Sequence, residues 1–254
     1  QMCIRDRTEP PETLMNAPTR EPIRAVLFDL DDTLWPITPV IERAERLLFD
    51  WLSEQVPRVT ERYTMAAMRA RRSELMAAHP RFRVDLWALR HAALHEAFVA
   101  CDADTSRIDE AMKVFTTARN QVMLFDDVLV CLPRLAERVT LGSLTNGAAD
   151  LRQIGLNHHF SVSLAAHELG RAKPDPEVFH AACEALALPP SQVAYVGDDL
   201  RLDVEGAQKA GLRGLWMNRH GAAKPAELSH IEPDASLASL HELEEWLHQC
   251  STHH

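Results

Sequence analysis

Three aspartates and a threonine follow a short apolar run near the start of the chain. The stretch AVLFDLDDTLW, residues 25–35, holds Asp29, Asp31 and Asp32, with Thr33 directly after them. An apolar run that ends in such groups is typical of a buried strand that delivers reactive side chains at its carboxyl end. Crowded carboxylates repel one another and lose hydration when they are buried, so the cluster predicts a bound metal or an electrophile. We therefore interpret this stretch as a catalytic centre.

Further polar groups follow later predicted strands. They are Ser143, Thr145 and Asn146 after one strand, Gly197, Asp198 and Asp199 with the later Asp203 after another, and Lys173 in the loop GRAKPDPEVF. Taken singly, each has an ordinary explanation, because TNG and GDD are common turn sequences and a lysine before prolines is usually a solvated loop residue. Together, in this order and at strand ends, they indicate one shared site.

The elements that must position these groups form an α/β pattern. We predict strands at Val139–Leu144, Ser161–Ala165, Gln192–Val196 and Gly214–Met217, and helices at Val128–Glu137, Ala149–Ile154, Pro176–Ala187, Asp203–Ala210 and about 240–248. Alternating strands and helices imply right-handed crossovers and a mostly parallel sheet covered on both faces. Ligands of such a sheet bind beyond the carboxyl ends of its strands.

A long helical segment separates the first strand from the others. Four stretches carry apolar residues at three-to-four spacing, namely IERAERLLFDWLSEQV, TERYTMAAMRARRSELMAAH, DLWALRHAALHEAFVAC and SRIDEAMKVFTTARNQVM. The prolines of WPITP predict a linker before the first of them. We expect a core at 23–37 and 123–250, a helical insertion at 38–122, a flexible extension at 1–22 and a tail at 251–254.

Composition restricts the class of protein. The 254 residues, 46% of them hydrophobic, suffice for a sizeable core, and the net charge of −10 argues against a general nucleic-acid binder. The five cysteines have no zinc-site spacing, and no apolar run is long enough to span a bilayer. We expect reduced thiols, a soluble cytoplasmic protein with no membrane or nucleic-acid partner, and a monomer or weak homodimer.

The motifs DLDDT, TNG, KP and GDD, together with Asp203, resemble the four motifs of the haloacid dehalogenase-like hydrolase superfamily. The resemblance covers about residues 24–217 and is to the helical-cap subfamily I. It implies a Rossmann-like sheet with an all-α cap inserted after the first motif. It also implies a phosphatase that works through an aspartyl-phosphate and uses Mg²⁺.

The resemblance implies a role for each motif residue. Asp29 would be the nucleophile and Asp31 the general acid and base, and Leu30 and Asn146 would belong with them to the phosphate-binding residues. Mg²⁺ would contact the Asp29 carboxylate, the Asp31 backbone carbonyl and Asp198. Thr145 and Lys173 would hold phosphoryl oxygens, while the supporting residues would be Asn146, Asp199, Asp203 and Thr33. Asp32, where many relatives have glycine, is the aspartate that we expect to tolerate substitution best.

Extensions of the motifs favour a substrate class. The stretches PVIERAERL, DLWALR and VGDDLRLDVEGAQKAGLRGLWMN resemble bacterial phosphatases acting on flavin mononucleotide and on the phosphorylated ribitylaminouracil of riboflavin synthesis. Trp35 lies just after the nucleophile loop, where its ring could stack on a flat substrate. Arg90 is balanced between an ion pair and a substrate contact, and for Trp87 we favour a place in the core of the cap.

Two alternatives to the phosphatase of small phosphorylated metabolites stay open. A phosphomutase of the same superfamily would use the same four loops and return the phosphoryl group to a substrate instead of water. A phosphorylatable receiver also groups aspartates, a threonine and a lysine around Mg²⁺, although DxDxT with a large helical insertion does not suit it.

Overall fold

A six-stranded sheet is the centre of the computed structural model, which describes residues 21–252. The strands are β1 (Ala25–Phe28), β2 (Thr140–Thr145), β3 (Val162–Ala165), β4 (Val193–Gly197), β5 (Arg213–Met217) and β6 (Ala235–Leu237). They lie in the order β3-β2-β1-β4-β5-β6, and every pairing is parallel. The predicted mostly parallel sheet is therefore confirmed.

Strand β1 lies where the winding of the sheet reverses. From β1 the chain adds β2 and β3 on one side and then crosses to β4 on the other, and Phe28 is in register with both Ser143 and Val196. The side chains of β1 are fully buried, with Val26 in one apolar cluster and Leu27 in another on the opposite face. Ligands of open α/β sheets bind at the carboxyl side of such a switch point, and here that position is the end of β1.

Five α-helices form the insertion that follows β1. They are α1 (Ile37–Gln55), α2 (Pro57–Arg62), α3 (Met65–Ala78), α4 (Leu86–Ala100) and α5 (Ile108–Arg119). Their own apolar cluster includes Leu52, Phe98 and Met112. This all-α insertion is the cap of the fold, and its presence agrees with the expectation from helical periodicity.

The start of the insertion differs from the predicted linker at WPITP. Helix α1 begins at Ile37, whose backbone N–H donates a 2.8 Å hydrogen bond to Asp32 Oδ1. Pro39 falls in the first turn, where a backbone N–H would have no partner within the helix, so the residue is tolerated there. The prediction of a proline linker before the first helix was therefore wrong.

The second predicted helix is divided into α2 and α3. Tyr63 has extended backbone angles, and Thr64 caps the following helix by accepting a 3.2 Å hydrogen bond from Ala67 N–H. Threonine before a helix favours this capping arrangement over continuation of the preceding helix. The pattern of apolar residues alone did not reveal the break.

Six further helices cover the sheet or follow it. They are α6 (Val128–Ala136), α7 (Leu151–Ile154), α8 (Ala166–Leu169), α9 (Pro176–Ala185), α10 (Gly206–Lys209) and α11 (Leu240–Thr252). The helix predicted over Asp203–Ala210 instead consists of a π-helical stretch at Leu200–Glu205 followed by α10. Helix α8 and strand β6 were not predicted, because they are four and three residues long and carry little periodicity.

Some sequence-based expectations fall outside the described part of the chain. These are most of the extension at 1–22, Cys3, and the last two histidines of the tail at 251–254. Among residues 21–252, none of the helices has the length and apolar character required to cross a membrane. Within that range, Cys101, Cys131 and Cys183 are free thiols.

Candidate active site

The loop that follows β1 is a tight turn built on backbone hydrogen bonds. Asp29 N–H continues the β1–β4 ladder by donating to Val196 O at 2.8 Å, and Asp32 N–H donates to Trp35 O at 2.7 Å. Asp32 has a φ of 59°. Aspartate is one of the few residue types other than glycine that enter the left-handed region readily. The loop leaves Asp29 at the strand end and turns Asp31 away from it.

Lys173 forms the centre of a buried polar cluster. Its Nζ donates to Asp29 Oδ1 and to Asp203 Oδ1, each at 2.6 Å, and to Tyr195 Oη at 2.7 Å. Tyr195 in turn donates to the Leu144 carbonyl at 2.6 Å. Because all three donors of the ammonium are used, its position relative to Asp29 is defined by the folded core.

The loop that carries Lys173 is held by Asn146. The Asn146 side chain accepts from Lys173 N–H at 2.9 Å and donates to Lys173 O at 3.1 Å. These two hydrogen bonds join the loop after β2 to the loop after β3. They give Asn146 a role in positioning the loop that carries Lys173.

Two carboxyl groups of the site, those of Asp29 and Asp198, have raised pKa values. Burial raises the pKa of Asp29 to about 7, with Lys173 opposing the rise and Asp203 adding to it. Burial also raises the pKa of Asp198 to about 8, and the charges of Asp203 and Asp29 add to the effect. For Lys173, burial lowers the pKa, but Asp203 and Asp29 outweigh it, so the pKa lies well above its ordinary value. The ammonium is thus charged.

Three of these carboxylates form a group that can hold a cation. Asp29, Asp198 and Asp203 each offer an oxygen, and the three oxygens lie within 4.8 Å of one another. One lysine cannot neutralise three carboxylates. Burial is the main cause of the raised pKa values of Asp29 and Asp198, and the charges of the neighbouring carboxylates add to it. A hard divalent cation with oxygen ligands fits this donor set.

Asp31 has a different environment from Asp29, although only one residue separates them. Arg119 Nη2 donates to both carboxylate oxygens, at 2.7 and 2.8 Å, and Trp35 Nε1 donates to Oδ1 at 2.8 Å. Arg119 is buried, whereas the Asp31 side chain is 23% exposed. The side chain is therefore oriented by two donors and still accessible to a substrate.

Thr145 and the glycine after TN complete the floor of the site. Thr145 is buried, and its Oγ1 accepts a 2.9 Å hydrogen bond from Gly147 N–H. A Cβ atom at position 147 would lie 2.6 Å from Asp31 Oδ2. The TNG sequence thus allows the β2 loop to approach the β1 loop closely.

The remaining predicted site residues contribute a backbone group or hydrogen bonds that shape the loops. Leu30 is buried in the core, so only its backbone can face a ligand. The Asp199 carboxylate accepts from Arg201 and Leu202 N–H, both at 2.8 Å, and shapes the start of the π-helical stretch. The Thr33 side chain is fully buried, and its carbonyl accepts from Arg219 Nε at 2.9 Å.

A cavity of about 900 Å³ lies between the cap helices and the sheet edge. It is bordered by Asp31, Arg119 and Thr145 from the site and by Trp87, Arg90 and Phe115 from the cap. The cavity has the size expected for a small-molecule site.

Two tryptophans, Trp35 after β1 and Trp87 in the cap, differ from their sequence interpretation. Trp35 is fully buried and packs in the core cluster, so its ring cannot stack on a substrate, and its contribution is the hydrogen bond to Asp31. Trp87, which we expected in the core, is 47% exposed, stacks on His91 and borders the cavity. Both expectations are corrected. Periodicity indicates which side of a helix is apolar but not which apolar residue faces a cavity.

Arg90 combines the two roles between which the sequence could not decide. Its guanidinium lies 3.6 Å from a Glu45 carboxylate oxygen and 3.4 Å from the centre of the Phe115 ring. Burial and the neighbouring Arg72 lower its pKa to about 9, which leaves it cationic at neutral pH. It also borders the cavity.

Two residues of the site were missed from the sequence. Arg119 is the last residue of α5, far in sequence from Asp31, and Tyr195 lies inside the buried strand β4. A tyrosine in an otherwise aliphatic strand is a weak signal, because its hydroxyl requires a buried partner. The sequence around Arg119 carries no signal that would have marked it as a site residue.

The fold and site define a class: a parallel α/β core whose carboxylate–lysine centre lies beneath a helical cap. The family model for haloacid dehalogenase-like hydrolases matches residues 23–211. The chain therefore belongs to the haloacid dehalogenase-like hydrolase family.

The similar proteins include named phosphatases and a structure named as a dehalogenase. The chain is 31% identical to the 5-amino-6-(5-phospho-D-ribitylamino)uracil phosphatase of Escherichia coli, over 77% of this chain and 83% of that protein. It is 33% identical to a phosphoserine phosphatase of Thermus thermophilus, over 62% of this chain and 65% of that one. The crystal structure of a 2-haloacid dehalogenase from Pseudomonas syringae superposes with a TM-score of 0.83 at 38% identity, covering 89% and 99% of the two chains.

Proposed function

We propose that the chain is a Mg²⁺-dependent phosphatase that hydrolyses small phosphate monoesters through an aspartyl-phosphate. The observation that carries this proposal is the different environment of Asp29 and Asp31. Asp29 lies in the buried lysine–carboxylate centre, whereas Asp31 is oriented towards the cavity by Arg119 and Trp35. One carboxylate is thus suited to nucleophilic attack and the other to proton transfer.

The metal would be held by the Asp29 and Asp198 carboxylates, with the Asp31 backbone carbonyl as the further ligand that the family resemblance implies. Asp203 is within the same group, but its Oδ1 accepts from Lys173 and its Oδ2 from Asp199 N–H at 3.0 Å. We therefore assign Asp203 to positioning the lysine. When bound, Mg²⁺ supplies charge neutralisation for the phosphoryl oxygens and for the crowded carboxylates.

The proposed reaction has two steps. In the first, an Asp29 oxygen bonds to phosphorus, the ester P–O bond breaks, and Asp31 donates a proton to the departing alcohol oxygen. In the second, Asp31 takes a proton from a water molecule that attacks phosphorus, and Asp29 leaves as a carboxylate while inorganic phosphate forms. Lys173 and Thr145 stabilise the negative charge of the phosphoryl oxygens.

Asp31 also favours a phosphatase over a dehalogenase. A halide leaves a carbon atom without needing a proton, so a general acid at this position has no role in carbon–halogen cleavage. An alcohol leaving group does need that proton. The similarity to a structure named as a dehalogenase therefore supports the fold, and the presence of Asp31 supports phosphate ester hydrolysis.

The cap favours a phosphate ester with a flat ring, such as flavin mononucleotide or a phosphorylated ribitylaminouracil. Trp87 offers an exposed aromatic face at the cavity, and Arg90 offers a cation. The name of the Escherichia coli relative agrees with this substrate class. Aromatic faces stack on flat rings with a preference of about 0.5–1.5 kcal/mol, enough to bias affinity among phosphate esters.

A panel of substrates tests the proposal. Initial rates with Mg²⁺ are measured for flavin mononucleotide, nucleoside monophosphates, phosphoserine, sugar phosphates, an aryl phosphate and 2-chloropropionate. We expect release of inorganic phosphate, loss of activity with EDTA that Mg²⁺ restores, and no release of halide. Asp29→Asn is the control and should abolish turnover. Halide release without phosphatase activity would overturn the proposed function, whereas equal rates for flavin mononucleotide and the aryl phosphate would overturn only the substrate class.

A further inference from the structure

A second group of ligand-type side chains lies between α6 and α11. Cys131 Sγ is 3.3 Å from His241 Nδ1, and His241 Nδ1 is 3.7 Å from Glu244 Oε2. The sulfur, the nitrogen and the oxygen all lie within 4.8 Å of one another. None of the three residues belongs to the carboxylate–lysine centre, and nothing in the proposed reaction uses them.

The two helices present these ligands from a fixed frame. His241 and Glu244 are three positions apart in α11 and therefore lie on one face of that helix, while Cys131 is in the middle of α6. Asp127, which precedes α6, accepts a 2.7 Å hydrogen bond from Leu240 N–H at the start of α11. The backbone at the two helix ends is thus joined beside the cluster.

One atom of the cluster requires a partner. Glu244 Oε1 is buried and has no hydrogen-bond partner among residues 21–252. A buried carboxylate oxygen without a donor destabilises the folded protein, since the group is charged. The guanidinium of Arg134 lies 3.9 Å from the other oxygen, Oε2, and is 61% exposed, so it does not satisfy Oε1. Oε2 is the oxygen that faces His241, so a cation bound between the three residues would satisfy Oε1 by contacting both oxygens of the carboxylate.

We propose that Cys131, His241 and Glu244 form a binding site for a thiophilic divalent cation, with Zn²⁺ as the ion that the donor set fits best. Sulfur, imidazole nitrogen and carboxylate oxygen are the three ligand types of protein zinc sites, and water supplies the fourth position. Mg²⁺ prefers an all-oxygen shell. The two centres of the molecule therefore select different ions.

The distances suit one ion after a small adjustment. In a tetrahedral Zn²⁺ site, ligand atoms at about 2.0–2.3 Å from the ion lie about 3.3–3.6 Å apart. The separations of 3.3 and 3.7 Å are already close to that range, and a pair at the 4.8 Å limit of this group would close by about 1.2 Å. His241 is 54% exposed, and its side chain can move towards Cys131 without disturbing the core.

Binding replaces the thiol proton with the metal. Burial, reinforced by the charges of Glu244 and Asp127, raises the pKa of the Cys131 thiol to about 11, so the metal-free residue is protonated at neutral pH. Formation of the metal–sulfur bond releases that proton to solvent. The bound ion would then hold the C-terminal helix α11 against α6 and raise the melting temperature.

Titration of the full-length protein with Co²⁺ tests the site. The protein is first stripped with EDTA, then kept in excess Mg²⁺ and a non-thiol reductant, so that the active-site carboxylates are occupied. A Co²⁺–thiolate bond gives a charge-transfer absorption band in the near ultraviolet that oxygen and nitrogen ligands alone do not give. We expect this band at one equivalent of Co²⁺, its loss when Zn²⁺ displaces Co²⁺, and an increase in melting temperature with Zn²⁺.

Matched variants locate the effect. His241→Gln and Cys131→Ala should lose the band and the Zn²⁺-dependent rise in melting temperature. His248→Gln on the same helix and Cys183→Ala in another buried cluster should keep both. His241 is half exposed, so its variant remains informative even where Cys131→Ala fails to fold. Absence of the band in the unaltered protein, or an equal band in His241→Gln, would overturn the proposal.

Discussion

Arg119 holds the carboxylate of Asp31 by a single nitrogen that donates to both oxygens, at 2.7 and 2.8 Å. Arg119 ends the last helix of the cap, and Asp31 lies in the loop after the central strand. The contact therefore joins the two parts of the molecule at the residue to which we assign proton transfer. Orientation of that residue thus depends on how the cap returns to the core.

Replacement of Arg119 should reduce turnover more than it reduces stability. Arg119→Ala frees the Asp31 carboxylate, and we expect kcat to fall by about tenfold or more, which is part of the 10²–10⁴ that acid–base catalysis contributes. The loss should be larger for alkyl phosphates than for aryl phosphates, because an aryl leaving group needs less protonation. Steady-state rates with both esters measure this. Arg152→Ala at the exposed rim of the cavity is the control, and an unchanged kcat in Arg119→Ala would contradict the positioning role.

Asp32 should tolerate only substitutions that suit its backbone. Its φ of 59° and its hydrogen bond to Ile37 N–H restrict the tolerance that we expected from the sequence. We expect Asp32→Asn to change the free energy of unfolding by no more than about 0.5 kcal/mol. Asp32→Val should lower it by about 2 kcal/mol or more, because the left-handed conformation and the lost hydrogen bond each cost about 1 kcal/mol. Urea unfolding measures both, and equal stabilities would refute the argument.

The metal-free protein should lose stability as the pH rises. The pKa values of Asp29 and Asp198 are raised to about 7 and about 8, so the folded protein binds protons that the unfolded chain has already released. The contribution of these two carboxyls to the free energy of unfolding is complete at pH values below the ordinary pKa of aspartate. It declines as the pH rises towards 8. Melting temperatures in EDTA between pH 5.5 and pH 8.5 should fall more steeply for the unaltered protein than for Asp198→Asn. Parallel curves would show that these carboxyls do not titrate as assigned.

Mg²⁺ should restore the stability that the metal-free protein loses as the pH rises. Because the cation competes with protons for the Asp29 and Asp198 carboxylates, its stabilisation should be larger at pH 8 than at pH 6. The difference between melting temperatures with and without Mg²⁺ gives the result. Asp198→Asn should largely abolish the difference at both pH values. A Mg²⁺ effect independent of pH would place the ion elsewhere.

Trp87 should affect binding of flat substrates selectively. Its ring borders the cavity and is 47% exposed, so Trp87→Ala should leave the fold intact. We expect KM for flavin mononucleotide to rise about 2- to 10-fold, in line with the modest energy of aromatic stacking. KM for a sugar phosphate should change little, and Trp87→Phe should preserve most of the affinity. A similar rise for both substrates would argue against stacking.

The sequence revealed the elements with strong periodicity and the residues at strand ends. β1 is a short run of buried apolar residues, and the polar groups after it follow from where parallel strands end, so Asp29, Asp31 and Asp198 could be placed at one edge. Within the described residues, the insertion was visible as helical spacing. Short elements such as β6 lack the length for any period to be recognised.

Contacts between distant segments could not be derived in the same way. Nothing near Arg119 in sequence indicates that its side chain reaches Asp31, because that contact depends on the path of five cap helices. The same cause explains why Trp35, expected beside the substrate, lies in the core, and why Trp87, expected in the core of the cap, borders the cavity. One packs inside the core and the other faces the cavity, and only tertiary packing decides which.

Direct trapping of the phosphorylated carboxyl is the decisive measurement for the mechanism. Asp31→Asn is mixed with an aryl phosphate and Mg²⁺, quenched in acid and digested with trypsin, which releases the peptide of residues 25–43. The aryl group leaves with little protonation, while attack of water lacks its base, so the aspartyl-phosphate should accumulate. We predict one phosphoryl group on this peptide, at Asp29, and none when Asp29→Asn is added to the variant. Phosphate release by the unaltered enzyme with no trapped phosphoryl group at Asp29 in Asp31→Asn, or undiminished turnover in Asp29→Asn, would contradict the covalent mechanism.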